Sequence, residues 1–167
     1  MTSYHSSNIE HNFQKLFALF AITFINFLTN VISIPISYVT LLLVLANILV
    51  GIFLIKLYRK KSFTLQFKEE AVIQKFTFSN TTNIYSYKDL LSVELKDFQR
   101  GPSDNIFIFQ KNGVKYKFKC DEIASGEAYV QFIKWLKTKN GNFETYIYPK
   151  GTTLHMRLRQ EILGKEY

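Results

Sequence analysis

The chain has 167 residues, a net charge of +8 and 47% hydrophobic residues, which fits one soluble domain with a small additional element. Its single cysteine, Cys120, excludes an intramolecular disulfide, and 16 Phe and 10 Tyr against 7 Gly and 3 Pro argue against disorder. Residues 16–55 contain no Asp, Glu, Lys or Arg, so the excess positive charge lies between Lys56 and Tyr167.

The uncharged stretch is too long for one membrane helix. A span needs roughly 20 apolar residues, and this stretch as a single helix would reach about 60 Å, twice the hydrocarbon thickness. Pro35 lacks an amide donor and disfavours helix at Ile34. We therefore predict a transmembrane hairpin with spans near 14–33 and 37–57. A buried helical hairpin of a soluble protein is the alternative.

A basic cluster follows the second predicted span at once: Lys56, Arg59, Lys60 and Lys61. Lys and Arg beside a span stay on the cytoplasmic side. We therefore predict a multi-pass protein of the bacterial inner (cell) membrane with both termini cytoplasmic. No secretory signal peptide is predicted, because the apolar stretch is too long and no small-residue cleavage site ends its first half.

Two asparagines, Asn26 and Asn47, interrupt the predicted spans at similar distances from Pro35. Amide side chains in hydrocarbon seek partners, and hydrogen bonds across helices contribute on the order of 1 kcal/mol. We interpret the two residues as polar contacts within the hairpin, with contact to another membrane subunit as the alternative. A transport site is not predicted, because the spans contain no ionisable residue.

From Ser62 onward apolar and polar residues mostly alternate, a pattern typical of antiparallel strands. The predicted strands are SFTLQF, AVIQKFTF, IYSY, LLSVELKDF, IFIFQ and VKYKFKC. IFIFQ is apolar on both faces, which predicts that both faces are covered. Asn112-Gly113 suits a hairpin turn with positive φ. The strand after this turn should alternate inward Val114, Tyr116, Phe118 and Cys120 with outward Lys115, Lys117 and Lys119.

The period then changes from two to between three and four. The segment DEIASGEAYVQFIKWLKTKN predicts an amphipathic helix, with Asp121 as its N-cap and Asn140-Gly141 at its end. Its apolar stripe consists of Ala128, Tyr129, Phe132, Trp135 and Leu136. We expect Trp135 to anchor the core rather than to form a ligand platform.

This order of elements resembles the pleckstrin-homology (PH) superfold. Two spans followed directly by such a domain are similar to small bacterial membrane proteins with PH-like (YcxB-like) domains. The resemblance covers 35–140 and rests on FTLQFKEEAVIQKF, IYSYKDLLSVEL, IFIFQKNGVKYKF and the helix with Trp135. It implies an α+β fold in which an antiparallel β-barrel or sandwich is capped by a C-terminal α-helix.

The best-known activity of the PH superfold is phosphoinositide binding by basic residues around the first hairpin turn. Here that turn is Lys68-Glu69-Glu70, which carries two carboxylates. The resemblance therefore implies a fold and an interaction role, not a ligand.

We divide the chain into a cytoplasmic leader at 1–13, the transmembrane hairpin at 14–57, the PH-like domain at 58–140 and an extension at 141–167. The extension forms either a hairpin around Pro149-Lys150-Gly151 or a strand followed by a short helix, and we prefer the second. Its apolar residues should pack on their own domain, with docking on a partner chain as the alternative.

No catalytic, cofactor or metal site is predicted. His5, His11 and His155 lack metal-ligand spacing, and the sequence has neither a Gly-rich phosphate loop nor a serine in a nucleophile elbow. We therefore predict that the chain is not an enzyme and has no small-molecule substrate.

The predicted function is a membrane-anchored interaction module, an accessory or scaffold subunit. Its expected partners are membrane lipids and other membrane subunits or a second copy. The alternative is a binder of anionic lipid headgroups that uses the basic cluster and the lysine comb, by which we mean Lys115, Lys117 and Lys119. Nucleic acid is not a predicted partner, because the aromatic residues alternate into the core rather than into the basic face.

Overall fold

The computed structural model describes residues 4–33, 38–96, 103–121, 123–124 and 126–148, and positions 154, 156, 157, 160 and 161. The predicted turns at Pro35 and at Pro149-Lys150-Gly151 lie outside the described residues, as does most of the extension beyond 148.

Two long helices come first and form a pair: α1 spans Ile9–Ser33 and α2 spans Tyr38–Lys61. Both are long and apolar enough to cross a membrane, and no residue in their apolar stretches is buried within the structure. The alternative of a soluble core hairpin requires buried helices, so this exposure favours the membrane. The two predicted helices are confirmed, but α1 begins at Ile9 rather than near 14.

The first sheet contains four antiparallel strands in the order β1-β2-β3-β4. They are β1 Tyr4–Ser7, β2 Phe63–Phe67, β3 Ala71–Phe76 and β4 Thr82–Ser86. The start of the chain, which we expected to be a loose leader, forms β1, and Tyr4 lies opposite Phe67. The ring of Tyr4 contacts Phe132 at 4.8 Å between centroids, so burial of an aromatic side chain holds this strand in place.

The second sheet has the order β7-β6-β5-β8. Its strands are β5 Leu90–Lys96, β6 Asp104–Lys111, β7 Val114–Asp121 and β8 Glu144–Tyr148. The turn between β6 and β7 has Asn112 at φ 52° and Gly113 at φ 77°, as its sequence predicts. In β6, Ile106 and Phe107 are consecutive and both buried, which confirms that this strand is covered on both faces.

The strand β8 pairs with β5 in parallel, because the chain returns to the sheet through α3, Gly126–Lys139, instead of through a tight turn. Phe143 and Ile147 are buried in the core, so this part of the extension packs on its own domain. The helix α3 begins at Gly126 and not after Asp121, which instead ends β7. The prediction of Asp121 as the helix cap is wrong.

The strands in the described part of the chain form two separate sheets and no closed barrel, so the barrel alternative of the barrel-or-sandwich prediction is wrong. The coarser α+β prediction is confirmed. A 3-10 turn, Tyr87–Asp89, passes the chain from β4 to β5 without pairing the two strands. The helix α3 packs against both sheets through Phe132, which lies 5.3 Å from Phe67 of β2 and 6.3 Å from Phe107 of β6 between ring centroids.

Candidate membrane-surface site

The junction between α2 and β2 is fixed by one buried asparagine. Asn8, only 7% exposed, donates from Nδ2 to the Lys61 carbonyl at 2.9 Å and accepts from the Phe63 N–H at 2.8 Å. Its backbone N–H donates to the Phe63 carbonyl at 3.2 Å. Asn8, which precedes α1, is therefore hydrogen-bonded to Lys61 at the end of α2 and to Phe63 at the start of β2. The domain is thus attached to the helix pair at the start of α1 as well as at the end of α2.

A second set of contacts joins the start of the chain to the other sheet. Ser6 donates from its hydroxyl to the Asp121 carbonyl at 2.7 Å, and Ser7 donates to the Asp121 carboxylate at 3.1 Å. The His11 backbone N–H donates to the same carboxylate at 3.3 Å. Asp121 thus connects β7 to both β1 and α1, which leaves no flexible linker between the helix pair and the domain.

The basic cluster divides between two sides of α2. Lys56, Arg59 and Lys60 follow each other at i, i+3 and i+4 and therefore share one helix face. They line a groove of about 490 Å³ whose opposite wall is the turn between β3 and β4. Lys61 lies elsewhere, in a smaller groove of about 230 Å³ that Lys15 of α1 also lines.

The turn between β3 and β4 supplies residues that we did not predict as part of a site. We expected Phe78 to continue the strand AVIQKFTF, but β3 ends at Phe76 and Phe78 lies in the turn, 44% exposed. Its ring packs 5.7 Å from the ring of Tyr58 and 5.5 Å from Arg59 Cζ. Ser79 and Thr81 complete this wall of the groove.

The lysine comb does not present three equivalent cations. Lys119 forms an ion pair with Asp104, with 2.6 Å between Nζ and Oδ2, whereas Lys115 and Lys117 are exposed. Lys115 is also four residues farther from the contact with α1, roughly 13 Å at the usual strand rise. The comb therefore leads away from the helix pair, while the basic groove lies directly on it.

Four residues of β7 were predicted to face inward, and this prediction is correct only near the end of the strand. Phe118 and Cys120 are buried, but Val114 and Tyr116 are 53% and 36% exposed, so for these two the prediction is wrong. The turn end of the hairpin formed by β6 and β7 is more exposed than its other end, although the Tyr116 ring contacts Tyr85 of β4 at 5.6 Å between centroids. Burial also raises the pKa of the Cys120 thiol to about 12, which keeps this sulfur protonated and unreactive.

The two asparagines of the predicted spans have different surroundings. Asn47 lines a groove of about 340 Å³ between the helices and donates from Nδ2 to the Leu43 carbonyl of its own helix at 2.8 Å. Asn26 is exposed on α1. Polar contacts of these residues within the hairpin, and the alternative of contact with another membrane subunit, stay predictions.

Comparison with protein-family models and with curated proteins finds no match. The site is therefore interpreted from its own chemistry: a rigid junction and a groove with three cations and two hydroxyl-bearing side chains. Among the described residues, no group of three or more His, Cys, Asp or Glu side chains is placed to hold a metal ion.

Proposed function

We propose that the chain is a membrane-anchored interaction module, an accessory or scaffold subunit of a membrane protein complex. The observation that carries this proposal is the rigid junction, in which β1 and Asn8 bind the soluble domain directly to the ends of the helix pair. A domain held in one orientation at a bilayer presents the same surfaces to every neighbour. Such preorganisation lowers the entropic cost of binding a partner.

We assign the domain to the PH-like type of small bacterial membrane proteins. The support is the order of elements: six strands, β2 to β7, arranged antiparallel to their sequence neighbours within two sheets and followed by α3. At the first hairpin turn Lys68 is followed by two carboxylates, Glu69 and Glu70, and Glu69 pairs with Lys139 at the end of α3. The PH-like assignment therefore suggests a protein-binding role.

The free strand edges are where we place partner contact. β4 is one edge of the first sheet, opposite β1, and β7 is one edge of the second, opposite β8. Ile84 on β4 is 58% exposed and Val114 on β7 is 53% exposed, so each of these two edges presents an apolar side chain at the surface. An edge strand offers unpaired backbone groups to which another chain can add a strand. The occupant we propose is another subunit of the same membrane complex.

Photo-crosslinking in native membranes tests this function. A crosslinking amino acid in place of Ile84 should form adducts with a different polypeptide, whereas the same amino acid in place of Lys75, exposed on the neighbouring strand β3, should form far fewer. Adducts would be separated by mass and identified by peptide sequencing. Adducts only between copies of this chain, or equal yields at the two positions, would contradict the accessory-subunit proposal.

The proposed topology has both termini in the cytoplasm and only the connection between the helices outside. β1 pairs with β2, so the start of the chain and the domain lie on the same side of the membrane, which requires an even number of crossings. Lys15 and the basic cluster lie at this end of the helices, and the described residues at the opposite end have no charge. The positive-inside rule then places the domain in the cytoplasm of a bacterial cell.

Thiol labelling checks this topology. A membrane-impermeant maleimide should label Tyr38→Cys in intact cells, because Tyr38 begins α2 and is 88% exposed. Lys117→Cys, on the exposed part of β7, should be labelled only after lysis. The unaltered chain is the control, since its one thiol is buried and protonated. Labelling of Lys117→Cys in intact cells would contradict the proposed topology, because it would place the domain outside the cell.

A second candidate function is binding of anionic lipid headgroups. The observation that favours it is the basic groove, which combines three cations with a position at the end of an apolar helix. Lipid binding and partner binding are compatible, because they use different surfaces of the same anchored domain.

A further inference from the structure

We propose that the basic groove is a specific site for the phosphate group of an anionic phospholipid, held by Lys56, Arg59 and Lys60 against the turn between β3 and β4. This inference rests on the second proposed function and names its site. It does not depend on the accessory-subunit role.

The groove has two walls fixed relative to each other. The Thr77 N–H donates to the Ser62 carbonyl at 3.0 Å, and the Ser62 N–H donates to the Tyr58 carbonyl at 3.0 Å. Backbone bonds thus connect the turn to the last residues of α2. Because Ser62 is fully buried, these bonds are shielded from water, and the turn is held beside the three cations before any ligand arrives.

The groove carries positive charge that no described group offsets. Its lining contains no acidic residue, and none of the ion pairs formed between described residues includes Lys56, Arg59 or Lys60. Like charges at i, i+3 and i+4 repel one another on a helix. A bound anion would relieve this repulsion, and Arg59 supplies the planar donor group that binds phosphate oxygens in pairs.

The other groups in the groove also suit a lipid phosphate. The hydroxyls of Ser79 and Thr81 are hydrogen-bond donors, and the exposed ring of Phe78 offers an apolar surface beside them. Phe78 stacks near the Arg59 guanidinium at 5.5 Å, which limits the orientations of that side chain. A headgroup needs polar contacts at its phosphate and an apolar surface where its acyl chains begin.

The depth of the groove distinguishes a lipid from a dissolved phosphate. Ile55 is the last residue of the uncharged stretch, and Lys56 follows it directly. From Lys56 to Lys60 the helix rises about 6 Å, comparable to the roughly 5–8 Å of one headgroup layer. The three cations therefore lie at the depth of lipid phosphates, where acyl chains can run along the exposed apolar surface of α2.

Lysine and arginine elsewhere on the chain fit this role less well. Lys119 of the comb is paired with Asp104, and Lys115 and Lys117 lie farther out along β7. Charge attraction falls within a Debye length of about 8 Å at physiological salt. The first hairpin turn, where the PH superfold binds headgroups, has Glu69 paired with Lys139. The groove is thus a site at the second hairpin turn.

The test measures binding of phosphatidylglycerol to the full-length protein in detergent by native mass spectrometry, with phosphatidylcholine as the neutral reference. We expect phosphatidylglycerol to bind more tightly, and Arg59→Gln to weaken that binding about fivefold or more, since a cation near lipid phosphates is worth about 1 kcal/mol. Lys61→Gln is the matched control: it removes the same charge two residues away, outside the groove. It should change the affinity less than twofold.

Three outcomes would overturn the site. Equal losses in Arg59→Gln and Lys61→Gln would leave only general attraction by surface charge. Equal affinities for the two lipids would remove the preference for anions. Competition by soluble glycerol phosphate at the same concentration as the lipid would assign the groove to a dissolved phosphate. None of these results bears on crosslinking at Ile84, so failure of the site and failure of the accessory-subunit role are distinguishable.

Discussion

Replacing Phe132 with alanine should lower the free energy of unfolding of the soluble domain by about 3–5 kcal/mol, the usual cost of deleting a buried phenyl ring. Phe132 is fully buried, and its ring contacts rings of both sheets, Phe67 in β2 and Phe107 in β6. The cavity left behind would remove the contacts of Phe132 with both sheets. Chemical denaturation of the full-length protein in detergent, followed by tyrosine and tryptophan fluorescence, measures the change.

Tyr148→Ala is the control for Phe132→Ala. It also removes an aromatic ring, but Tyr148 is 40% exposed at the end of β8, so the expected loss is about 0.5 kcal/mol or less. If both variants lost the same small amount, α3 would not be packed against the two sheets as described.

The helix that carries Phe132 was predictable from sequence because its apolar residues repeat at three- and four-residue spacing over three turns. The antiparallel hairpins were predictable for a similar reason, since alternation and the Asn112-Gly113 turn are both local signals. The paired helices followed from the length of the uncharged stretch. In each case the information lies in one continuous stretch of neighbouring residues.

The strand β1 was not predictable, because it has only four residues and one large apolar side chain, Tyr4. Its partner β2 begins more than 50 residues later, so nothing local indicates the pairing. The parallel pairing of β8 with β5 was not predictable for the same reason, because the two strands lie far apart in the sequence. Long-range pairing of short strands depends on the whole core, and the open arrangement of the two sheets depends on it as well.

Half of the candidate site was predictable. The charges of Lys56, Arg59 and Lys60 are evident in the sequence, and helical geometry alone separates Lys61 from Lys60 by about 100° around the axis. The opposite wall was not predictable, because the position of Phe78 depends on the backbone bond from Thr77 to Ser62. Backbone hydrogen bonds between distant segments cannot be inferred from the pattern of apolar and polar side chains in the sequence.

Asn8→Ala should lower the free energy of unfolding by about 2–3 kcal/mol, although it deletes only a small polar side chain. The Asn8 side chain accepts from the Phe63 N–H and donates to the Lys61 carbonyl, and Phe63 is only 8% exposed. Alanine would leave a buried backbone donor without its partner, which costs about 1–3 kcal/mol, and would remove the second bond as well. Neither bond caps α1, so the lost stability would come from the junction between the domain and the helix pair.

Hydrogen exchange would show where the effect of Asn8→Ala is felt. The amides of β2 that pair with β1, from Thr64 to Phe67, should exchange faster in the variant, while those of β6 in the other sheet should change less. Asn12→Ala is the control, because its side chain also donates to the Lys61 carbonyl, but at 3.4 Å and in an exposed position. It should cost about 0.5 kcal/mol or less.

Equal, small effects of Asn8→Ala and Asn12→Ala would mean that the Asn8 side chain does not fix the orientation of the domain on the helix pair. A freely turning domain would not hold its strand edges in one orientation toward a neighbouring subunit, which removes the physical basis of the scaffold role. The basic groove would survive that result, because its walls are joined by the bond from Thr77 to Ser62 and by the contact of Phe78 with Tyr58, neither of which includes Asn8. The Asn8 variant therefore separates a protein that orients its domain from one that only anchors it.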